Sequence, residues 1–333
     1  MYENVRFYDV TMRDGNHALR HRLSAEFLSG YALASVDAPT WALEVGHGNG
    51  LGGSSFLVGI SAESDQTLLE CAKSFLGYTK LSVHSIPGFS TIQRDIAPAL
   101  EIGVDLVRVA SHVTEASVCE KHVEYVASKE ATVHGVLMMS HMATTSVLVD
   151  NARQLLEYGA TGIIVMDSAG HYRPAQVFER INALVTTLGC EVGFHAHNNL
   201  GMAVSNAIAA IRAGATIIDV SSAGLGAGAG NASYEFLALA LEMDFLEPKS
   251  FEAVLRLSEM VFDSFRDKLP GYSPSTLRGG ILGVFSGYTP QVESLSIELG
   301  VDKQALWNAI ASRKLVAGQE SMLREIAQDL SNL

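Results

Sequence analysis

The chain has only three cysteines in 333 residues, Cys71, Cys119 and Cys190, and they lie far apart. No CxxC pair and no secreted-type disulfide framework follows from that spacing, which fits a reducing compartment. Positive charge is also scarce. Lys and Arg number 23 against 36 Asp and Glu, a formal net charge of −13. That balance gives a nucleic-acid or anionic-membrane partner no electrostatic support. No apolar run approaches the length needed to span a bilayer. The opening "MYENVRFYDV" lacks a basic region followed by an apolar core, so no signal peptide is expected and the expected location is the cytoplasm. No lysine ends a strand-like run where a Schiff base would form, since Lys80 begins one, and no PLP chemistry is expected. "GLGAGAGN" (224–231) is neither GxGxxG nor a P-loop. A Gly-rich rim that lets backbone approach a small ligand or metal explains it more simply.

What is present is apolar mass: 48% of residues are hydrophobic and 18% charged, enough for one barrel-sized domain with an appendage or, equally, for two domains of similar size. Eight β-rich runs recur through the first 225 residues, at 5–11, 41–45, 80–86, 106–112, 131–139, 162–168, 191–197 and 216–222. Most are near-continuously apolar, as strands buried on both faces are. Helical patterning lies between most of them, for example at 151–160 and 202–215. Eight strands alternating with helices predict a (β/α)8 TIM barrel, with a doubly wound open sheet as the rival. Beyond about residue 245 the strand rhythm stops, which predicts a small C-terminal helical domain. The expected division is 1–262 for the barrel and 263–333 for the helical domain.

Polar residues gather where these strands end: "TMRDGNH", "GHGNG", "SHVTEA", "SHM", "DSAGH", "HNN" and "SAGLGAGAGN". In either fold, the C-terminal ends of the strands carry the chemistry. "EVGFHAHNN" (191–199) places His195 and His197 two apart, so both side chains face one side of a strand. Alone, that pair reads equally well as two hydrogen-bonded polar residues. Asp14, just past the first strand, supplies a third donor. Two imidazoles and one carboxylate leave open positions on a divalent ion such as Mn²⁺, Zn²⁺ or Fe²⁺. Such an ion would act as a Lewis acid on a keto oxygen and stabilise an enolate, although the same triad also serves non-haem iron oxygenases. Asn231 is either a weak ligand, a contact behind the ligands or a loop-capping residue. Arg13 beside Asp14 suits stabilisation of an enolate oxygen, or an ion pair with Glu44, or both. His17 is the nearest candidate general base.

"YDVTMRDGNHALRH", "LEVGHGNGLGGSSF", "LMMSHM", "HAHNNLGMAVSNAIAAI" and "AGLGAGAGNASYE" resemble the 4-hydroxy-2-oxovalerate aldolases, kin of 3-hydroxy-3-methylglutaryl-CoA lyase and isopropylmalate synthase. The resemblance runs to about "VAGQESM" (316–322) and covers most of the chain. It implies a barrel with a helical C-terminal domain and class II, metal-dependent aldol chemistry on pyruvate. The implied metal is Mn²⁺, with Mg²⁺, Co²⁺ or Zn²⁺ as other candidates. By position, Asp14, His195 and His197 resemble the metal ligands and Arg13 the enolate-stabilising arginine. His17 resembles the base that takes the C4-hydroxyl proton, and Ser168 a residue near the pyruvate carboxylate. The resemblance also implies a role in aromatic hydrocarbon catabolism and a partnership with an acylating aldehyde dehydrogenase. A homodimer is the expected assembly.

Two stretches depart from that pattern. The family's "GVYS" is "GVFS" here, so Phe285 replaces a tyrosine, with Tyr288 close by in sequence. The family's "LLLPG" is "HSIPG", which brings in His84 and Ser85. Both stretches line the aldehyde side in the family. The expectation is a retained pyruvate half and an altered aldehyde half, suited to a larger or more polar aldehyde. The alternatives are a Claisen-type lyase or synthase acting on a CoA thioester and, in another class, a non-catalytic scaffold of the same fold.

Overall fold

The structure, a computed structural model, describes residues 4–332; residues 1–3 and 333, the outer ends of the two expected domains, lie outside the described residues. The eight β-rich runs form β1 (Arg6–Asp9), β2 (Thr40–Glu44), β3 (Lys80–Ser85) and β4 (Leu106–His112), then β5 (Thr132–Met138), β6 (Gly162–Asp167), β7 (Glu191–Ala196) and β8 (Ile217–Val220). They pair in parallel in chain order, and β8 closes on β1 with Arg6 opposite Ile217 and Asp9 opposite Val220. The sheet is therefore a closed (β/α)8 barrel, and the open-sheet alternative falls away.

The strands are buried on both faces. Tyr8, Val10, Ala42, Leu106, Ala110, Val136, Ile164, Met166 and Ile217 fill the barrel interior. Residues of the opposite parity, such as Val83, Val107, Ile163 and Phe194, pack outward against helices. That arrangement explains the unbroken apolar runs. Helix starts are set locally. Ser24, Ser64, Thr144 and Ser233 each accept the N–H three residues on, satisfying an otherwise unpaired donor. The helical signal at 151–160 is the second half of the helix Thr145–Glu157, whose start is marked by Thr144.

The helix Pro248–Phe265 packs Ala253, Val254, Leu257 and Val261 into the barrel's outer core, so the expected boundary at 262/263 falls inside it. Four further helices, Pro274–Leu282, Thr289–Leu299, Lys303–Arg313 and Glu320–Ser331, close around a separate core that includes Val292, Leu295, Trp307 and Leu323. This unit sits over the C-terminal mouth of the barrel. Ser286 N–H donates to the Ser168 carbonyl at 3.0 Å, and His141 Nε2 and His171 Nδ1 reach the carbonyls of Gly283 and Gly280 at 3.0 and 2.8 Å. Among the described residues no helix is long and apolar enough to cross a membrane.

Candidate metal centre

At the end of β1 the chain curls over its own strand. The Val10 carbonyl accepts from the N–H groups of Arg13 and Asp14 at 3.1 and 2.9 Å, which turns both side chains toward the barrel axis. Across the mouth, His195 lies in β7 and His197 one residue beyond it, held by a bridge to Asn231. One oxygen of Asp14 and one nitrogen of each histidine lie within 4.8 Å of one another. Among the described residues no other group of three or more such side chains converges in this way.

The donor set fits a divalent cation. His195 Nδ1 lies 2.8 Å from Asp219 Oδ2, an acceptor only, so the proton sits on Nδ1 and the Nε2 lone pair points inward. His195 Nε2 and His197 Nε2 are 3.4 Å apart, so the two rings turn nitrogen atoms toward one point. Burial is the main reason His197 is driven down to about 3, with His195 and Arg13 adding to it against the pull of Asp14. Burial opposes ionisation of Asp14, but Arg13 and the neighbouring imidazoles outweigh it and hold the carboxyl well below the usual range. Asp14 Oδ1 accepts from Arg13 Nη1 at 2.7 Å, and Oδ2 accepts from Asn231 Nδ2 at 2.8 Å and from the Ala227 N–H at 3.3 Å. The Gly-rich loop after β8 thus orients the carboxylate, and Asn231 stands behind the ligands.

Arg13 is buried and held by Glu44 and Asp14. Its Nε donates to Glu44 Oε1 at 2.6 Å, while its Nη2 has no partner. Burial would raise the Glu44 carboxyl, yet Arg13, Arg108 and His84 hold it at about 2. The ion pair foreseen for Glu44 is therefore part of a longer chain of charges. Glu44 Oε2 lies 3.5 Å from Arg108 Nη1, and Arg108 grips Asp219 through two bonds of 2.9 and 3.0 Å. Arg13 is thereby linked through three buried charges, Glu44, Arg108 and Asp219, to His195. Arg108 and Asp219 were missed by sequence reasoning. Their signal is present: each is a charged residue inside an apolar strand, "LVRVASH" and "TIIDVSS", where burial demands a partner.

His17 stands at the same strand end. Burial and, less strongly, Arg13 lower its basicity, while Asp14 pulls the other way, so it is a neutral imidazole near neutral pH. Its ring meets His21 edge-on at 5.2 Å, and His21 stacks on His47 at 3.6 Å. Neither of those two histidines was singled out from the sequence.

Phe285 borders two cavities. The larger, about 430 Å³, also touches His17, Asn49, Ala227, Thr289, Gln291 and Glu320. The smaller, about 140 Å³, touches Ile86, Ser111, His112, Met138 and Ser168. Ser168 Oγ accepts the Met139 N–H at 3.0 Å, which leaves its own hydrogen free to donate. His84, lowered by burial and Arg13 to about 3, lies inside the barrel with Nδ1 unpartnered and 4.0 Å from Glu44. Ser85 and Tyr288 line neither of these two cavities. Ser85 has the opposite strand parity to His84 and bonds Ser90 at 2.7 Å, so it borders neither cavity. Tyr288 donates to the Val316 carbonyl within the C-terminal core, so it does not replace the missing tyrosine beside the pocket.

Residues 4–261 match the HMGL-like family model. The chain belongs to the HMGL-like family. Residues 270–332 match the DmpG-like communication domain. The chain is similar to a 4-hydroxy-2-oxovalerate aldolase from Spirochaeta aurantia, 45% identical over 97% of this chain and 95% of that one. A protein of the same name from Pectobacterium atrosepticum is 43% identical over 99% of this chain and 97% of that one. Among solved structures, the carboxyl transferase domain of Rhizobium etli pyruvate carboxylase superposes with a TM-score of 0.81 at 18% identity, covering 98% of this chain and 60% of that one. The N-terminal domain of a putative aldolase from Bacteroides vulgatus gives 0.76 at 20% identity, covering 88% and 98%. These two likenesses concern the fold alone.

Proposed function

We propose that the protein is a divalent-metal-dependent class II aldolase, a carbon–carbon lyase that cleaves or forms a 4-hydroxy-2-oxoacid with pyruvate and an aldehyde as the other side of the reaction. The observation that carries this reading is the convergence of Asp14, His195 and His197 beside an arginine with one unpartnered nitrogen and a neutral histidine. The curated relatives at about 45% identity support it. A bound cation, Mn²⁺ on the family pattern, supplies Lewis-acid polarisation of the keto group.

The chain's own residues do the rest. Arg13 is held through Nε and Nη1, so its bare Nη2 is fixed in place to donate to the C2 oxygen as negative charge develops there. His17 accepts the C4-hydroxyl proton as the C3–C4 bond breaks. That bond's electron pair passes to C2–C3 and the charge to the C2 oxygen. The aldehyde leaves, and C3 takes a proton from solvent to give pyruvate. Ser168, with a free hydroxyl hydrogen, donates to the substrate carboxylate.

On the aldehyde side, Phe285 presents a ring without a hydroxyl, and the larger cavity beside His17 carries Asn49, Thr289, Gln291 and Glu320. These features support an aldehyde larger or more polar than acetaldehyde. The C-terminal match supports an acylating aldehyde dehydrogenase as partner, and we place the protein in the cytoplasm as a homodimer. Mn²⁺-dependent release of pyruvate from 4-hydroxy-2-oxovalerate, without CoA, is expected in the wild type and lost in Asp14→Ala. A wild type that binds no metal and a variant of equal activity would sink the assignment. A kcat/KM series over 4-substituted substrates tests the aldehyde side, and a clear preference for the methyl compound would refute it. Co-purification with a dehydrogenase at micromolar concentration tests the partnership.

A further inference from the structure

Asn199 lies two residues past His197 and is 3% exposed. It is not one of the converging metal donors, yet both polar atoms of its side chain are hydrogen-bonded. Nδ2 donates to the Thr276 carbonyl, in the helix Pro274–Leu282, at 3.1 Å. Oδ1 accepts from Ser286 Oγ at 3.1 Å and from the Ala229 N–H at 3.4 Å. One carboxamide thus joins the strand end that carries His197, the Gly-rich loop after β8 and the first part of the C-terminal domain.

Three glycines make room for this junction. A Cβ at Gly170 or Gly280 would lie 2.9 Å from the Asn199 Cβ, and one at Gly228 would lie 2.8 Å from Oδ1. Each joined segment also serves the site. The loop supplies Asn231 Nδ2 and the Ala227 N–H to Asp14. Ser286 follows Phe285 directly, and its N–H donates to the Ser168 carbonyl. The junction needs a donor and an acceptor on one short side chain. Aspartate has no donor for the Thr276 carbonyl, and leucine has neither group.

We propose that Asn199 is a positioning residue that sets the His197 strand end, the loop behind Asp14 and the Phe285 wall as one unit, so that the seat of the C-terminal domain is felt at the metal. This rests on the metal-aldolase reading. The test uses the full-length chain, Mn²⁺ alone as the titrant, and kcat and KM measured separately. Asn199→Ala is expected to weaken Mn²⁺ binding about tenfold, in the range seen when groups behind metal ligands are removed. It is also expected to lower kcat at saturating Mn²⁺, with KM moving less. Ser286→Ala is expected to show a smaller loss of the same kind. The double variant should cost less than the sum of the two, because both remove one shared bond.

If Asn199→Ala does not fold, Ser286→Ala alone must still weaken Mn²⁺ binding for the proposal to stand. Folded variants with unchanged Mn²⁺ affinity and unchanged kcat overturn it and reduce Asn199 to a packing residue. The two readings fail separately. Weakened Mn²⁺ binding in variants of a wild type that releases no pyruvate would keep the junction and discard the aldolase.

Discussion

Single side chains at this site are set by partners that no local pattern reveals. His195 presents Nε2 because its Nδ1–H donates to Asp219, and Asp219 is itself held by Arg108. Asp219→Asn keeps the shape but removes the charge that fixes the imidazole. Mn²⁺ affinity is expected to fall roughly 10- to 100-fold, read by calorimetric titration. Asp9 offers a separate, pH-dependent prediction. Burial lifts its carboxyl from 3.8 to about 6, against hydrogen bonds from Thr11 and Tyr31. The folded state therefore binds this proton more tightly than the unfolded chain does. Its contribution to stability is full below about pH 4 and is lost as pH rises through 6, on the order of 3 kcal/mol. Urea denaturation between pH 4 and 7 should show this fall in the wild type and lack it in Asp9→Asn. Equal slopes in the two proteins would refute it.

Elements carry these residues to the barrel mouth, and parity along each strand decides which of them arrive. His84 and Ser85 are neighbours in sequence, yet one faces the interior and the other bonds Ser90 on the opposite side. The period-2 rule that brought His195 and His197 together also separates this pair. Between β6 and β7 the backbones run so close that a side chain at Gly170 is not tolerated. Its φ is +57°, and a Cβ there would lie 2.7 Å from the Asn199 nitrogen and 2.8 Å from the His197 carbonyl. Gly170→Ala is expected to destabilise the fold by roughly 2 kcal/mol. It should also weaken Mn²⁺ binding, because the crowded atoms include the carbonyl of the proposed ligand His197. Chemical denaturation and metal titration on one preparation check both parts.

In the whole molecule, barrel closure brings β1 beside β8 and within reach of β7, and the C-terminal helices cover the opening. Because the three proposed ligands come from opposite ends of the barrel sequence, the unfolded chain holds no such site. A bound metal must therefore stabilise the fold. Mn²⁺ at a hundred times its dissociation constant should add about 2.7 kcal/mol and raise the melting temperature, and a chelator should reverse the gain. A melting temperature indifferent to Mn²⁺ would count against the site. The charge excess is a property at this scale too. With −13 overall, Arg13, Glu44, Arg108 and Asp219 beside the candidate metal site are nonetheless buried and mutually paired.

By itself the sequence determined eight doubly buried strands alternating with helices, because such strands need unbroken apolar runs and regular helical spacers, while closure of the sheet into a barrel was decided by the tertiary structure. It also pointed to Asp14, His195 and His197 as a shared donor set, because His195 and His197 share a face by period and Asp14 ends the first strand, and these three side chains do converge. Motif similarity pointed to Arg13, His17 and Ser168. Only the tertiary structure decided what stands behind them. The Arg13–Glu44–Arg108–Asp219–His195 chain joins strands β2, β4, β7 and β8 to the turn after β1, and such a network exists only once the barrel has closed. The same holds at the pocket. Tyr288 lies three residues from Phe285, but helix packing turns its hydroxyl to Val316, while the more distant Ser168 shares a cavity wall with Phe285. Distance along the chain sets which residues can be read as a motif. Distance through space, imposed by closure and packing, sets which of them meet.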